Sequence, residues 1–501
     1  MPNTERDDED LARFGYRRRL NRTLGGFSSF AAGFSYLSIL TGLPQLYYLG
    51  FGAGGPAFFW AWPLIFLGQF LVALCFAELA AEFPLSGGVY QWARRVGSDS
   101  VGWLAGWVYL ASAVITLASV AVAPQSTLPQ ISSIFQIIGD AGNRLDSARN
   151  AVLLGCVLIA FSTIINAIGV KLLARINNVG VFAELVGAIV LLVLLNFRSV
   201  RGLGVVFDTQ SRGVGHSLGY LGAFLAAALT PSFVMYGFDT AGSLAEETDN
   251  PRRRAPRAIL GSLASVGLVG ALLILGALRS SPDLADPALG RISGGMPYVI
   301  KSVLGDAVGT MLLWFVAVAV VVCTLTVQAA AVRLVFSMAR DNNLPFSDLL
   351  AKVSITTKTP IWPSVLLGLA AAVLLVANAN APELIETMVS VAIVWANLAY
   401  LLVTAPMLVR RLRRKGQSTS RAGFHGFSMG RWGLPVNLLA VVWGLFVILN
   451  IGWPRPEIYG AEIPGRYVAP LATGAMVVLG ILYYHLFQRR KTGILDDHRS
   501  E

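Results

Sequence analysis

The chain has 501 residues, of which 55% are hydrophobic and only 13% charged. Soluble domains carry about 25% charged residues, so an ordinary soluble enzyme is excluded and much of the surface must face lipid. The net charge of +11 does not point to nucleic acid, because the basic residues lie at the ends of apolar runs, where membrane topology explains them.

The first segment, MPNTERDDEDLARFGYRRRLNR, is polar and mixed in charge, and the apolar run after it is too long for a signal core. No cleavable signal peptide is expected. Apolar stretches then recur near 27–50, 56–80, 102–123, 150–170, 178–197, 218–246, 258–278, 306–337, 361–379, 383–409, 433–453 and 467–488. Each is about 20 residues or longer, enough to cross a bilayer. The pattern predicts an all-α polytopic membrane protein of about twelve spans. A membrane barrel would instead show alternating segments of about ten residues. The expected organisation is a tail at 1–23, a five-span unit at 24–200, a second at 216–412, two further spans at 433–488 and a tail at 489–501.

Lysine and arginine set the orientation. With the N-terminus inside, the inner segments hold 29 of the 39 basic residues. The opposite orientation would invert that bias, so both termini are expected on the cytoplasmic side of the cell membrane.

Two spans are interrupted. The first reads GGFSSFAAGFSYLSILTGLPQLYYLG and is rich in small or polar residues: Gly33, Ser35, Ser38, Thr41, Gly42 and then Pro44. The sixth breaks at Tyr236-Gly237-Phe238-Asp239-Thr240-Ala241-Gly242. Breaks at corresponding places in two five-span halves point to an inverted-repeat transporter with its site at the midplane. A broken helix leaves N–H groups unpaired at one half-helix end and C=O groups at the other, which suit a carboxylate and an ammonium group respectively. The candidate substrate contacts are therefore Ser35, Tyr36, Leu37, Ser38, Thr41 and Gly42 in the first span, and Tyr236, Gly237, Phe238, Asp239 and Thr240 in the sixth. Close packing of small residues between helices is the alternative reading of the same pattern.

Ionisable groups inside spans point to function by default. Asp239 could pair with a cationic substrate group, carry a proton, or cap the second half-helix. Glu184 could carry a coupling proton, meet a substrate amine, or pair with Arg175 or Arg333. Thr324 and Thr326 in the eighth span offer hydroxyls for a sodium site, although such hydroxyls often bond their own backbone. Glu78, Glu82, Glu246 and Glu247 share the cytoplasmic side with Arg94, Arg252 to Arg254, Arg257 and Arg340. They are candidates for inner-gate ion pairs that break when the site opens.

Motifs of soluble enzymes match without their context. Gly50 to Gly55 satisfies G-x-G-x-x-G but lies between two spans, not between a strand and a helix. His216, His425, His485 and His498 are scattered, and Cys75, Cys156 and Cys323 lie in apolar runs. No cofactor, metal centre or catalytic constellation is expected.

Three longer motifs carry a resemblance. FAELAAEFPLSGGVYQWA (76–93) follows the second span, AEETDNPRRRAPRAI (245–259) follows the sixth, and MARDNNLP (338–345) closes the eighth. At these places in the order of spans, the chain resembles amino acid–polyamine–organocation permeases over nearly its whole length. With the combination of Gly237-Phe238-Asp239 and the Gly54-Gly55-Pro56 turn it looks most like the branch carrying amino acids, γ-aminobutyrate and choline. The resemblance implies a leucine-transporter-type fold of five plus five inverted helices and two more. It also implies a secondary transporter for an amino acid or related amine, with choline, ethanolamine or polyamine transport, or substrate exchange, as alternatives. A bundle containing spans one and six would rock against a scaffold containing spans three and eight. Phe238 resembles the aromatic that closes over substrate in that family, with plain packing as the alternative. Span five would pass near a cation position of sodium-coupled relatives, where some proton-coupled relatives carry lysine. This span has no lysine in its interior, which leaves proton or sodium coupling open and proton coupling favoured through Glu184.

Overall fold

A computed structural model describes residues 11–500, apart from 18, 21, 215, 217, 382–383, 414–425 and 461–462. Residues 1–10 and the basic stretch 414–425, both used to read orientation, therefore lie outside the described residues. Helix accounts for 78% of the structure, with no strand among the described residues.

Nine helices among the described residues are long and apolar enough to cross a membrane. Two shorter apolar helices, Tyr220–Val234 and Ile361–Ala377, fall where the sixth and ninth spans are expected. The first span is divided into Gly26–Leu37 and Ile39–Gly54. The remaining spans run, in order, over Ala61–Glu82, Asp99–Ala121, Arg144–Ile168, Val170–Phe197, Pro251–Ser280, Asp306–Arg340, Leu384–Arg413, Gly433–Gly452 and Val468–Tyr483. The polytopic all-helical architecture read from hydropathy is thus present.

The surface explains the composition. Phe182, Phe197, Leu471 and Leu486 are each more than 60% exposed, which only a lipid surround tolerates over such lengths. Inside, span seven packs along span two and the first half of span one. Span eight lies against spans three and five, span ten along span three, and span nine along span four. Small residues permit the close approaches. A side chain on Gly270 of span seven would stand 2.0 Å from the Trp62 ring of span two, and the Trp62 indole donates to the Gly267 carbonyl at 2.9 Å.

The two breaks face one another in this frame. Val234, the last helical residue before the sixth-span break, lies so close to Gly42 that a methyl group there would be 2.6 Å from its Cγ2.

Candidate substrate site

The first break is at Ser38, whose φ of 28° and ψ of 98° are outside the helical region. Helix Ile39–Gly54 starts there with its first N–H groups lacking intrahelical partners. Glu184 of span five supplies one. Its Oε1 accepts from the Leu40 N–H at 3.1 Å and from the Ser38 hydroxyl at 2.8 Å. Ser38 Oγ also lies 2.6 Å from Thr41 Oγ1. A carboxyl at a helix N-terminus is favourable for both the hydrogen bond and the helix dipole. Its other oxygen, Oε2, is buried without a hydrogen-bond partner. Arg333, one partner considered for this acid, is bound elsewhere.

The second break centres on Gly237, at φ 93°. Its N–H donates to the Tyr400 hydroxyl at 2.8 Å. That hydroxyl donates in turn to Asp239 Oδ1 at 2.5 Å, and Tyr109 donates to the same oxygen at 2.7 Å. The Asp239 side chain makes no capping bond to helix Thr240–Ser243; spans three and ten hold it instead. Tyr36 and Tyr236 meet edge to face at 6.3 Å, and the Tyr236 hydroxyl pairs with Thr116 at 2.7 Å. Between the breaks a cavity of about 10 Å³ is bordered by Tyr36, Leu37, Thr41, Gly42, Thr116 and Tyr236. That space holds roughly one water molecule, so the site is closed down.

Not every candidate faces this cavity. Phe238 is fully buried, with its ring centroid 5.8 Å from that of Phe76 and 5.3 Å from that of Tyr400. The Thr240 hydroxyl is buried and has no partner. Ser35 points to span five, donating to Asn177 Oδ1 at 2.6 Å. Thr326 reaches the same oxygen at 2.9 Å and its own Val322 carbonyl at 2.9 Å. Thr324 bonds the Val320 carbonyl at 2.8 Å. Residues two apart on a helix point roughly 200° apart, so Thr324 and Thr326 are not brought together.

The end of the structure that carries residues 11–17 and 489–500 is closed by ion pairs. Arg333 grips Glu247 through two bonds of 2.7 and 3.1 Å. Arg340 grips Glu246 through two of 2.7 and 2.9 Å. All four side chains are nearly inaccessible. Glu82 and Glu78 pair with Arg410 and Arg411. Asp341 accepts from Tyr90, Gln91 and Arg94, and Ser86 N–H donates to Glu246 at 2.9 Å. The three sequence motifs after spans two, six and eight therefore assemble at one place. Arg252 donates to the Ala81 carbonyl at 3.0 Å.

Glu78, Glu82, Glu246 and Glu247 were visible in the sequence, as were Arg94 and Arg340. Asp341, Arg410, Arg411 and Arg333 as the partner of Glu247 were missed. So were Tyr109, Thr116, Asn177 and Tyr400 around the breaks. Polar groups inside apolar spans were the available signal, but nothing local tells which acid they meet.

The amino acid permease family model matches residues 24–477. The chain belongs to that family. It is 25% identical to the amino-acid permease BAT1 of Arabidopsis thaliana over 96% of this chain and 94% of that protein. It is 27% identical to the BAT1 homolog of Oryza sativa over 94% and 91%. A methylthioribose transporter of Bacillus subtilis is 30% identical over 64% of this chain and 67% of that protein. The protein is a multi-pass membrane permease of the amino acid–polyamine–organocation superfamily, and its family is one of amino acid transporters.

Proposed function

We propose that this permease carries an amino acid or related amine across the cell membrane by alternating access, coupled to protons through Glu184. The observation that carries this reading is the state of that carboxyl. One oxygen is tied to the broken first span and the other is buried without a partner. A proton on Oε2 neutralises an otherwise costly buried charge. Its loss leaves a carboxylate bonded to the very segment that borders the substrate cavity, so proton and substrate can sense one another.

The substrate lies, in this reading, between the two breaks, near Tyr36, Ser38, Thr41, Gly42, Tyr236 and Gly237. Residues 24–200 and 216–412 are the two inverted repeats, and both termini are cytoplasmic. The bundle of spans one, two, six and seven rocks against spans three, four, five, eight, nine and ten. Tight packing within each group supports that division, and the terminal-face ion pairs close the inner side.

Glu184→Gln in liposomes tests the coupling. It should still bind substrate and exchange it in counterflow, yet lose accumulation driven by a pH gradient. Accumulation equal to wild type removes Glu184 as the coupling group. A panel of amino acids, choline, polyamines and methylthioribose, screened by thermal shift on the purified protein, finds the substrate to use. One observation favours sodium instead: Ser35, Asn177 and Thr326 gather oxygen atoms between spans one, five and eight. Uptake that stops when sodium is removed from wild-type liposomes would select that reading.

A further inference from the structure

Residues 11–17 and 493–500 fold back over the ion-paired face. Residues 15–17 run antiparallel to 498–500. Arg17 N–H donates to the His498 carbonyl at 2.9 Å, Ser500 N–H to the Gly15 carbonyl at 3.1 Å, and Tyr16 and Arg499 form the bridge between them. The C-terminal tail is pinned to the end of span eight. Gly493 N–H donates to the Asp341 carbonyl at 3.0 Å and Leu495 N–H to the Arg340 carbonyl at 2.9 Å.

The N-terminal tail is pinned to the same residues through a side chain. The Tyr16 hydroxyl donates to the Asp341 carboxylate at 2.9 Å. Its buried ring lies 3.9 Å from the Arg340 guanidinium carbon, a cation–π contact. Arg340 holds Glu246, and Glu246 holds the Ser86 N–H. Leu11 and Tyr16 also pack on Leu85, with Phe14 and Ile494 against them.

We propose that the paired tails are a clasp that holds the inner gate shut and must release before the substrate site can face the cytoplasm. This rests on the alternating-access reading above. Leu85, Ser86 and Glu246 follow spans two and six, which belong to the rocking bundle. Arg340 and Asp341 end span eight, which belongs to the scaffold. The tails thus cross the seam that must open. An isolated two-stranded pairing is marginal in water, so a clasp of this kind can open without unfolding the spans beneath it.

The test needs no substrate. Ala32 is buried beside a cavity of about 30 Å³ that reaches Arg333 and Glu247. Ala32→Cys is placed in a chain whose three native cysteines are replaced. Its modification by an impermeant methanethiosulfonate is followed in inside-out vesicles, with mass spectrometry reading the thiol at position 32. Tyr16→Ala should raise that rate about tenfold, the change expected when roughly 1.4 kcal/mol of closure is lost. A disulfide formed by Arg17→Cys and His498→Cys should lower the rate by a similar factor, and reduction followed by washing should restore it. The disulfide and its reduction use the same folded sample, which separates the clasp from misfolding. Equal rates with the clasp cross-linked, reduced and disrupted by Tyr16→Ala would overturn the proposal. Arg333→Ala distinguishes the two readings. If it raises labelling while the tail variants do not, the clasp fails and alternating access stands. If no variant alters labelling, alternating access falls and takes the clasp with it.

Discussion

The ring of Tyr36 lies directly over Gly237. A methyl group added to Gly237 would stand 1.9 Å from Cε1 of that ring. The breaks of the first and sixth spans are therefore in van der Waals contact, and the glycine has two separate reasons to be a glycine. Its φ of 93° is a backbone conformation that a residue with Cβ resists, and the tyrosine occupies the space a side chain needs.

Gly237→Ala should reduce transport at least a hundredfold, with the spans still inserted. The left-handed backbone alone costs about 1–2 kcal/mol for an L-residue, and the ring must also move. Tyr36→Ala combined with Gly237→Ala removes the clash but leaves the backbone strain. Uptake and the monodisperse fraction after detergent extraction measure the two effects. Wild-type transport by Gly237→Ala would remove the sixth-span break from the site.

Tyr400→Phe should lower thermal stability more than Tyr109→Phe. Both lose a bond to Asp239, but only Tyr400 also receives the Gly237 N–H. Leaving that buried donor unpaired costs about 1–3 kcal/mol. Equal midpoints for the two variants in a thermal-shift assay would contradict this.

Arg333→Ala should destabilise strongly, by about 3–5 kcal/mol, because it strands the buried Glu247 carboxylate. Arg333→Met with Glu247→Leu removes both charges and should recover most of the loss. Thermal midpoints of the two variants in the same detergent make the comparison. A double variant as damaged as the single one would show that the ion pair itself, not the stranded charge, sets the stability.

Docking of the C-terminal tail should weaken in acid. His498 is packed edge-on to Phe336 at 5.7 Å. Burial first, then Arg340 and Arg19, lower its pKa from 6.5 to about 4, with Asp497 opposing them. Because the docked pKa is the lower one, His498 favours docking above pH 6.5. That contribution is lost as pH falls from 6.5 toward 4. The protection factors of the Gly493 and Leu495 amides, taken relative to the intrinsic exchange rate at each pH, should fall through that range, and His498→Gln should flatten the dependence. A loss of protection unchanged by His498→Gln would assign the effect to other groups.

What the sequence determined by itself is what a single segment can encode. A run of about 20 apolar residues specifies a span wherever it sits, so the number and order of spans were legible. The interruptions were legible too. Ser38 and Gly237 sit in stretches whose small and polar residues do not suit a lipid-facing helix. The acids at the ends of spans two and six announced partners for the same reason: a carboxylate there is costly alone.

The identity of each partner was decided only by the tertiary structure. Glu184 caps a backbone N–H 144 residues away, and Asp239 accepts from a tyrosine 161 residues away. Such pairs depend on how helices distant in sequence cross and rotate, for which no local pattern exists. The same holds for Thr324 and Thr326. Both hydroxyls were offered for a sodium site, and only the rotation of span eight shows that Thr326 meets Asn177, which Ser35 also reaches, while Thr324 bonds the Val320 carbonyl. Hydropathy fixes which residues enter the membrane, because transfer from water is a property of each segment. Packing between spans fixes which polar atoms meet, because a buried hydrogen-bonding group must find its partner wherever the fold brings one within reach.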